Sequence, residues 1–177
     1  MTSKAPSPRS FSTKIRMQVW EWTWLLLCAP TPKPLKGWRV FWFRVFGGKA
    51  GGNVYLHPRA RIEMPWNITL GDGAAVGDRA HLYALGPITI GSETVVAQES
   101  YLCAGTHDFD DPAWPLVTRP ITVGNRCFLG LRTVVLPNVS ISDNILVGAG
   151  ALVTKNLSEP GTYVGQPAKK ISDKTPC

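Results

Sequence analysis

Aliphatic residues along most of this chain recur neither with the helical period of 3.6 nor with the strand period of two. They recur every sixth position. Val123, Leu129, Val135, Ile141, Val147 and Val153 mark the period in the second half. Four places after each stands a small or aliphatic residue: Cys127, Thr133, Val139, Ile145, Ala151 and Leu157. Leu70, Val76, Leu82, Ile90, Val96 and Leu102 repeat the pattern earlier, accompanied by Ala74, Ala80, Gly86, Thr94, Ser100 and Thr106. A helix would need apolar residues three and four apart, and hairpins would alternate between irregular turns. A sustained period of six predicts an all-β parallel solenoid of triangular section, in which each hexad is one short strand and one corner. The twelve hexads make four coils, two before residue 108 and two after residue 122. Residues 50–69, with Val54, Ile62 and Ile68, form a less regular opening coil. Gly71, Gly77, Gly91, Gly124, Gly130 and Gly148 follow marked positions, as expected where the backbone turns sharply beside a strand.

The period breaks over residues 107–121, from His107-Asp to Arg119-Pro-Ile, which therefore leave the prism as a loop. Insertions on one face of a solenoid are its usual functional surface. The N-terminal residues follow another pattern, reading as two short helices near 12–28 and 35–46. Pro30-Thr-Pro-Lys-Pro34 separates them and Gly47-Gly48 closes the second. The chain thus divides into a helical segment 1–49, a β-helix 50–158 and a C-terminal tail 159–177.

Charge sharpens that division. Residues 1–49 hold nine Lys or Arg against one acid, Glu21, whereas residues 50–177 hold ten against eleven. A nearly neutral body argues against a nucleic-acid footprint spread over the fold. Cys28, Cys103, Cys127 and Cys177 are widely spaced without a Cys-x-x-Cys, so neither a zinc knuckle nor a disulfide framework is expected. The longest apolar run, Trp24 to Ala29, is far short of the roughly 18 residues that span a bilayer, and it lacks the layout of a signal peptide. A cytoplasmic protein is expected.

On three features the chain resembles the hexapeptide-repeat acyltransferases, and within them the colanic acid biosynthesis acetyltransferases. The first is the hexads. The second is Cys103-Ala-Gly-Thr-His107-Asp108, followed by Asp111-Pro-Ala-Trp-Pro-Leu and Pro120-Ile-Thr-Val-Gly-Asn. The third is Val147-Gly-Ala-Gly-Ala-Leu-Val-Thr-Lys155 with Val164-Gly-Gln-Pro-Ala-Lys. The resemblance covers roughly residues 15 to 171. It implies a left-handed coil, although crossovers between parallel strands are ordinarily right-handed. It further implies a homotrimer with sites between neighbours, and acetyl transfer from acetyl-CoA to a hydroxyl of a sugar or polysaccharide precursor, without a metal.

A sugar hydroxyl is a poor nucleophile until its proton is leaving, so such transfer needs a base. Histidine, with an ordinary pKa of about 6.5, has its neutral form available at cytoplasmic pH. The resemblance gives this role to His107. Asp108, Asp110 or Asp111 would orient the ring, with Asp108 the immediate neighbour. A backbone N–H near Gly130 and Leu131 would stabilise the oxyanion. Relatives often carry a Trp and a small polar residue where this chain has Phe128-Leu-Gly-Leu131, which leaves the detailed donor geometry open. Gly148 and Ala149 would hold the pantetheine arm, with Thr154, Lys155 and Lys169 or Lys170 facing the phosphates. Trp66, Asn67 and Tyr83 are candidates for the acceptor side, where an aromatic platform and amide hydrogen bonds suit a sugar.

Two rival readings share the prism. A γ-class carbonic anhydrase needs three histidine ligands on a metal, and this chain has only His57, His81 and His107, far apart. A non-catalytic structural solenoid leaves the Thr-His-Asp opening of the loop without a purpose. Residues 11–46 carry Trp20, Trp22, Trp24, Trp38, Phe41, Trp42, Phe43 and Phe46 among Lys and Arg. They either cover the first coil and the trimer edge or rest peripherally on the inner membrane, which would suit a lipid-linked glycan acceptor.

Overall fold

The computed structural model describes residues 10–175. The outermost residues of the two expected terminal segments, 1–9 and 176–177, lie outside them. The chain winds as a left-handed parallel β-helix of about six turns, preceded by two helices. One face stacks Lys49–Ala50, Ile68–Leu70, Ile88–Ile90, Ile121–Val123 and Ser140–Ile141. The second stacks Tyr55–Leu56, Ala75–Val76, Val95–Val96, Phe128–Leu129, Ile145–Val147 and Gly161–Val164, and ends in the antiparallel strand Lys169–Ser172. The third stacks Arg61–Glu63, His81–Tyr83, Tyr101–Cys103, Val134–Val135 and Leu152–Val153. Every pairing between successive coils is parallel.

The period of six exists because each coil repeats the same three inward positions. All twelve marked aliphatic residues are at most 2% exposed. Burying each contributes about 1.5–3 kcal/mol, so a charge at any one of them would undo a coil. Buried hydroxyls at the accompanying positions bond to the next coil: Thr94 Oγ1 donates to the Gly124 carbonyl at 2.6 Å and Ser100 Oγ to that of Gly130 at 2.9 Å. The prism therefore carries polar groups inside without leaving them unpaired.

The corner glycines have a different cause from the one their position suggests. Gly71, Gly77, Gly91, Gly124, Gly130 and Gly148 do not adopt positive φ. A Cβ on Gly71 would lie 2.5 Å from the Ser92 nitrogen, and one on Gly130 would lie 2.8 Å from the Ala149 nitrogen. Close approach of the next coil, rather than a left-handed backbone, demands glycine there. The left-handed residue falls two places later, mostly on side-chain-bearing residues: Arg79, Glu93, Arg126 and Arg132.

A solenoid end exposes unpaired backbone and core, and here the N-terminal helices cover it. Helix α1, Phe11–Thr23, continues as a π-helical turn, Trp24–Cys28, and α2 spans Lys36–Val45. Ser10 caps α1, accepting from the Thr13 amide at 3.2 Å. Trp20, Trp24, Cys28, Val40 and Phe43 join the core, and Trp20 Nε1 donates to the Ile62 carbonyl at 2.6 Å. Arg39 is fully buried. Its guanidinium donates to the Leu56, Pro32 and Lys33 carbonyls and to Thr31 Oγ1, at 2.6–3.0 Å, locking the Pro-rich turn onto the first coil. The aromatic residues thus divide: Trp20, Trp24 and Phe43 cover the coil, while Trp22, Trp38 and Phe41 face outward.

Candidate active site

After Ala104 the chain leaves the corner between the third and first faces and returns at Ile121. Gly105–His107 and Leu116–Thr118 form an antiparallel hairpin that pairs His107 with Leu116. The intervening carboxylates build the turn rather than contact the imidazole. Asp108 Oδ1 accepts from the Asp110 amide at 3.1 Å, and Asp111 Oδ1 from the Ala113 amide at 2.8 Å. The Trp114 amide donates to the Asp111 carbonyl at 2.9 Å and the Asp108 amide to that of Pro115 at 3.0 Å.

Between those bonds Trp114 is held at φ 47°, a left-handed conformation unusual for a bulky residue and further disfavoured before proline. Its carbonyl oxygen lies 2.6 Å from His107 Nδ1. A carbonyl can only accept, so Nδ1 carries the proton and Nε2 of the neutral ring keeps its lone pair. The orienting group is a backbone carbonyl, where Asp108, Asp110 and Asp111 were the candidates by sequence. No side-chain pattern announces a carbonyl, although the left-handed residue before Pro115 marks the place where one is turned.

The strand entering this hairpin ends an aromatic column on the third face. Glu63 Oε1 lies 3.1 Å from His81 Nε2. The His81 ring is 4.8 Å from that of Tyr101, and Tyr83 stacks on Tyr101 at 6.0 Å. Burial, followed by the neighbouring Cys103, pushes the Tyr101 phenol well above its ordinary pKa, so it stays protonated. Tyr83 is half-buried in this column. The Glu63–His81 pair was not legible as chemistry, because its members lie on successive coils, 18 residues apart.

Trp66 and Asn67 sit on the same edge, two coils below the hairpin, and both side chains are engaged within the fold. The Arg16 guanidinium lies 4.0 Å over the Trp66 ring, and Asn67 Nδ2 donates to the Ala84 and Leu85 carbonyls at 2.8 and 3.2 Å. Thr154 and Lys155 occupy the same edge of the prism, higher up, and both are exposed.

Gly130, Leu131, Gly148 and Ala149 occupy a different edge, between the second and third faces, where their two corners stack directly. The Gly130 N–H donates to the Val147 carbonyl and the Gly148 N–H to that of Tyr163, each at 2.8 Å. The Gly150 N–H donates to the Leu131 carbonyl at 2.7 Å. The ladder therefore uses both glycine amides and leaves those of Leu131 and Ala149, both exposed, without an acceptor among the described residues. Lys169 comes to this same edge, since the adjacent Ala168 amide donates to the Leu152 carbonyl at 2.8 Å and Gln166, three residues earlier, donates to the Gly150 carbonyl at 2.7 Å. Lys169 is exposed, whereas Lys170 is paired with Glu159 and Asp173 at 3.0 and 2.8 Å.

The fold thus brings the candidate residues together in two sets. His107, Tyr83, Thr154 and Lys155 flank one side of the third face. Leu131, Ala149 and Lys169 flank the other. Among the described residues no group of three or more His, Cys, Asp or Glu side chains gathers in a metal-binding arrangement.

A family model described as hexapeptide repeat of succinyl-transferase matches residues 120–155. The Escherichia coli (strain K12) protein named as a colanic acid biosynthesis acetyltransferase, WcaF, is 40% identical over 169 residues, covering 94% of this chain and 93% of that protein. A hexapeptide-repeat acetyltransferase from Vibrio cholerae, solved with acetyl coenzyme A, superimposes with a TM-score of 0.82 at 20% identity, covering 93% of this chain and 91% of that one. A galactoside acetyltransferase solved with coenzyme A gives 0.85 at 20% identity, covering 95% and 86%. With its prism, its inserted hairpin and a relative of this similarity along nearly its whole length, the chain belongs to the hexapeptide-repeat acetyltransferases.

Proposed function

We propose that this protein transfers an acetyl group from acetyl-CoA to a hydroxyl of a sugar or polysaccharide precursor, as a homotrimer, with His107 as general base. The observation behind the base is the 2.6 Å contact of His107 Nδ1 with the Trp114 carbonyl, which leaves Nε2 as the ring's proton acceptor. The relative named for colanic acid biosynthesis supports a glycan acceptor. The neighbours solved with coenzyme A and acetyl coenzyme A support the donor.

Nε2 takes the proton of the attacking hydroxyl as its oxygen bonds to the thioester carbonyl carbon. The imidazolium then returns that proton to the departing thiol sulfur. The Leu131 N–H is the donor for the carbonyl oxygen as it becomes negative, because the Gly130 N–H is held in the ladder. The Ala149 N–H, one coil above, suits an amide carbonyl of the pantetheine arm. Exposed Lys155 and Lys169 meet phosphates, with Thr154 beside Lys155. Asp108 shapes the turn that presents His107, and the Tyr83 column at the hairpin's foot is the acceptor platform.

The separation of the two edges supports a trimer. Both sets form one site only if the edge with His107 on one protomer meets the edge with Leu131 on the next, and a three-fold axis repeats that contact three times. Free, buried Cys28 and Cys127 suit the reducing cytoplasm in which we place the reaction.

Mixing protomers tests this reading. His107→Ala and Leu131→Pro, which removes the amide, are each expected to be inactive. Co-assembled at equal amounts they regain about one quarter of wild-type turnover, the share of sites that random assortment leaves intact. Mixed trimers as inactive as either parent would contradict a shared site.

A further inference from the structure

Helix α1 is apolar on two opposite sides. Trp20, Trp24 and Cys28 pack on the first coil, whereas Phe11, Ile15, Val19, Trp22 and Leu26 are 49–79% exposed. The outward residues stand three or four apart, on one side of the helix, and Trp22 lies roughly 200° around from Trp20. Helix α2 repeats the arrangement, with Arg39, Val40 and Phe43 inward and Trp38, Phe41 and Val45 43–55% exposed. Trp38 Nε1 donates to the Leu27 carbonyl at 2.8 Å, joining the two outward sides into one surface. Two opposite apolar sides on one helix normally both find cover, and the prism covers only one side of each.

The surrounding charge identifies what covers the other half. Lys14, Arg16, Lys33, Lys36, Arg44 and Lys49 are exposed around this surface, against the single acid Glu21. Arg16 donates to the Phe46 carbonyl, Lys36 to the Asn53 amide oxygen, and Arg44 to the Ala50 and Gly51 carbonyls. These partners are neutral, and every ion pair among the described residues lies at or beyond His57. A second copy would bring the same positive charge to the contact. An anionic lipid surface neutralises it and receives the apolar side chains, with indoles at headgroup depth. No helix among the described residues is long and apolar enough to cross a membrane, which leaves the helices lying along it.

We infer that α1 and α2 dock flat on an anionic phospholipid bilayer, so that the prism stands on the membrane by its first coil. This inference does not depend on the acyl transfer proposed above. Flotation of the full chain tests it, with vesicles of phosphatidylcholine alone and of phosphatidylcholine with about 30% phosphatidylglycerol. The protein floats with the anionic vesicles alone, and the double variant Trp22→Glu, Phe41→Glu loses at least about tenfold of that binding while keeping the wild-type melting temperature. Brominated lipid quenches wild-type tryptophan fluorescence, a readout that needs no variant. Absence of flotation with anionic vesicles, flotation without quenching, or a folded double variant that floats like wild type would each overturn the inference. So would lipid-free wild type sedimenting as a larger assembly that the double variant dissolves.

Discussion

Trp114 turns its carbonyl oxygen to within 2.6 Å of the Nδ1 of His107, seven residues earlier, from a backbone that its own side chain disfavours. Strain at such a residue persists only where its surroundings over-determine it, and here two backbone bonds and an Asx turn hold it. Glycine accepts φ 47° freely, whereas a β-branched residue resists it. Trp114→Gly should therefore keep turnover within a few-fold of wild type. Trp114→Val should lower kcat about tenfold to a hundredfold with little change in KM for acetyl-CoA, as expected when a base loses its orientation. Steady-state kinetics on the two variants separates these outcomes.

Arg39 links the cap to the prism through four acceptors, none of them a carboxylate. Burial pushes its pKa below the ordinary arginine value, yet the guanidinium stays charged at any pH the fold meets. Arg39→Met removes the cation and leaves buried carbonyls without donors. A loss of about 3 kcal/mol in urea unfolding is expected, with turnover at low temperature unchanged.

His57 sets a pH dependence of stability. Burial lowers its pKa below 6.5 and outweighs the nearby Asp78, which acts in the opposite direction. Below about pH 6.5 the unfolded chain binds a proton there that the folded chain resists, so stability rises with pH through that region and levels off above it. His57→Gln should flatten this rise. Urea midpoints measured from pH 5 to pH 8 on both proteins provide the check.

Cys28 is fully buried, and burial raises its thiol to a pKa of about 11; Cys127 is shifted upward for the same reason. Both should resist a thiol reagent at pH 8 in the native protein and react on unfolding. In a Cys177→Ser background only half-buried Cys103 should label natively.

The prism was legible because every inward position of a solenoid meets the same environment, so Leu70 and Val153 report one packing rule from opposite ends of the fold. Relations between coils left weaker marks. Gly71 and Gly130 looked like turn formers, and only the stacked backbone shows that the next coil excludes their Cβ. The choice of Leu131 over Gly130 as free donor rests on which amide the ladder takes. The cap's aromatic residues gave two competing readings because α1 and α2 are apolar on both sides, and a linear pattern does not say which side the prism covers.

The most direct test of the central claim is a thiol-release assay with acetyl-CoA and a panel of glycans, comparing wild type with His107→Ala. The His107 side chain is exposed and makes one hydrogen bond, to the Trp114 carbonyl, so the variant should fold and still be stabilised thermally by CoA. The account predicts a loss of at least about a hundredfold in turnover. Turnover within a few-fold of wild type would contradict it.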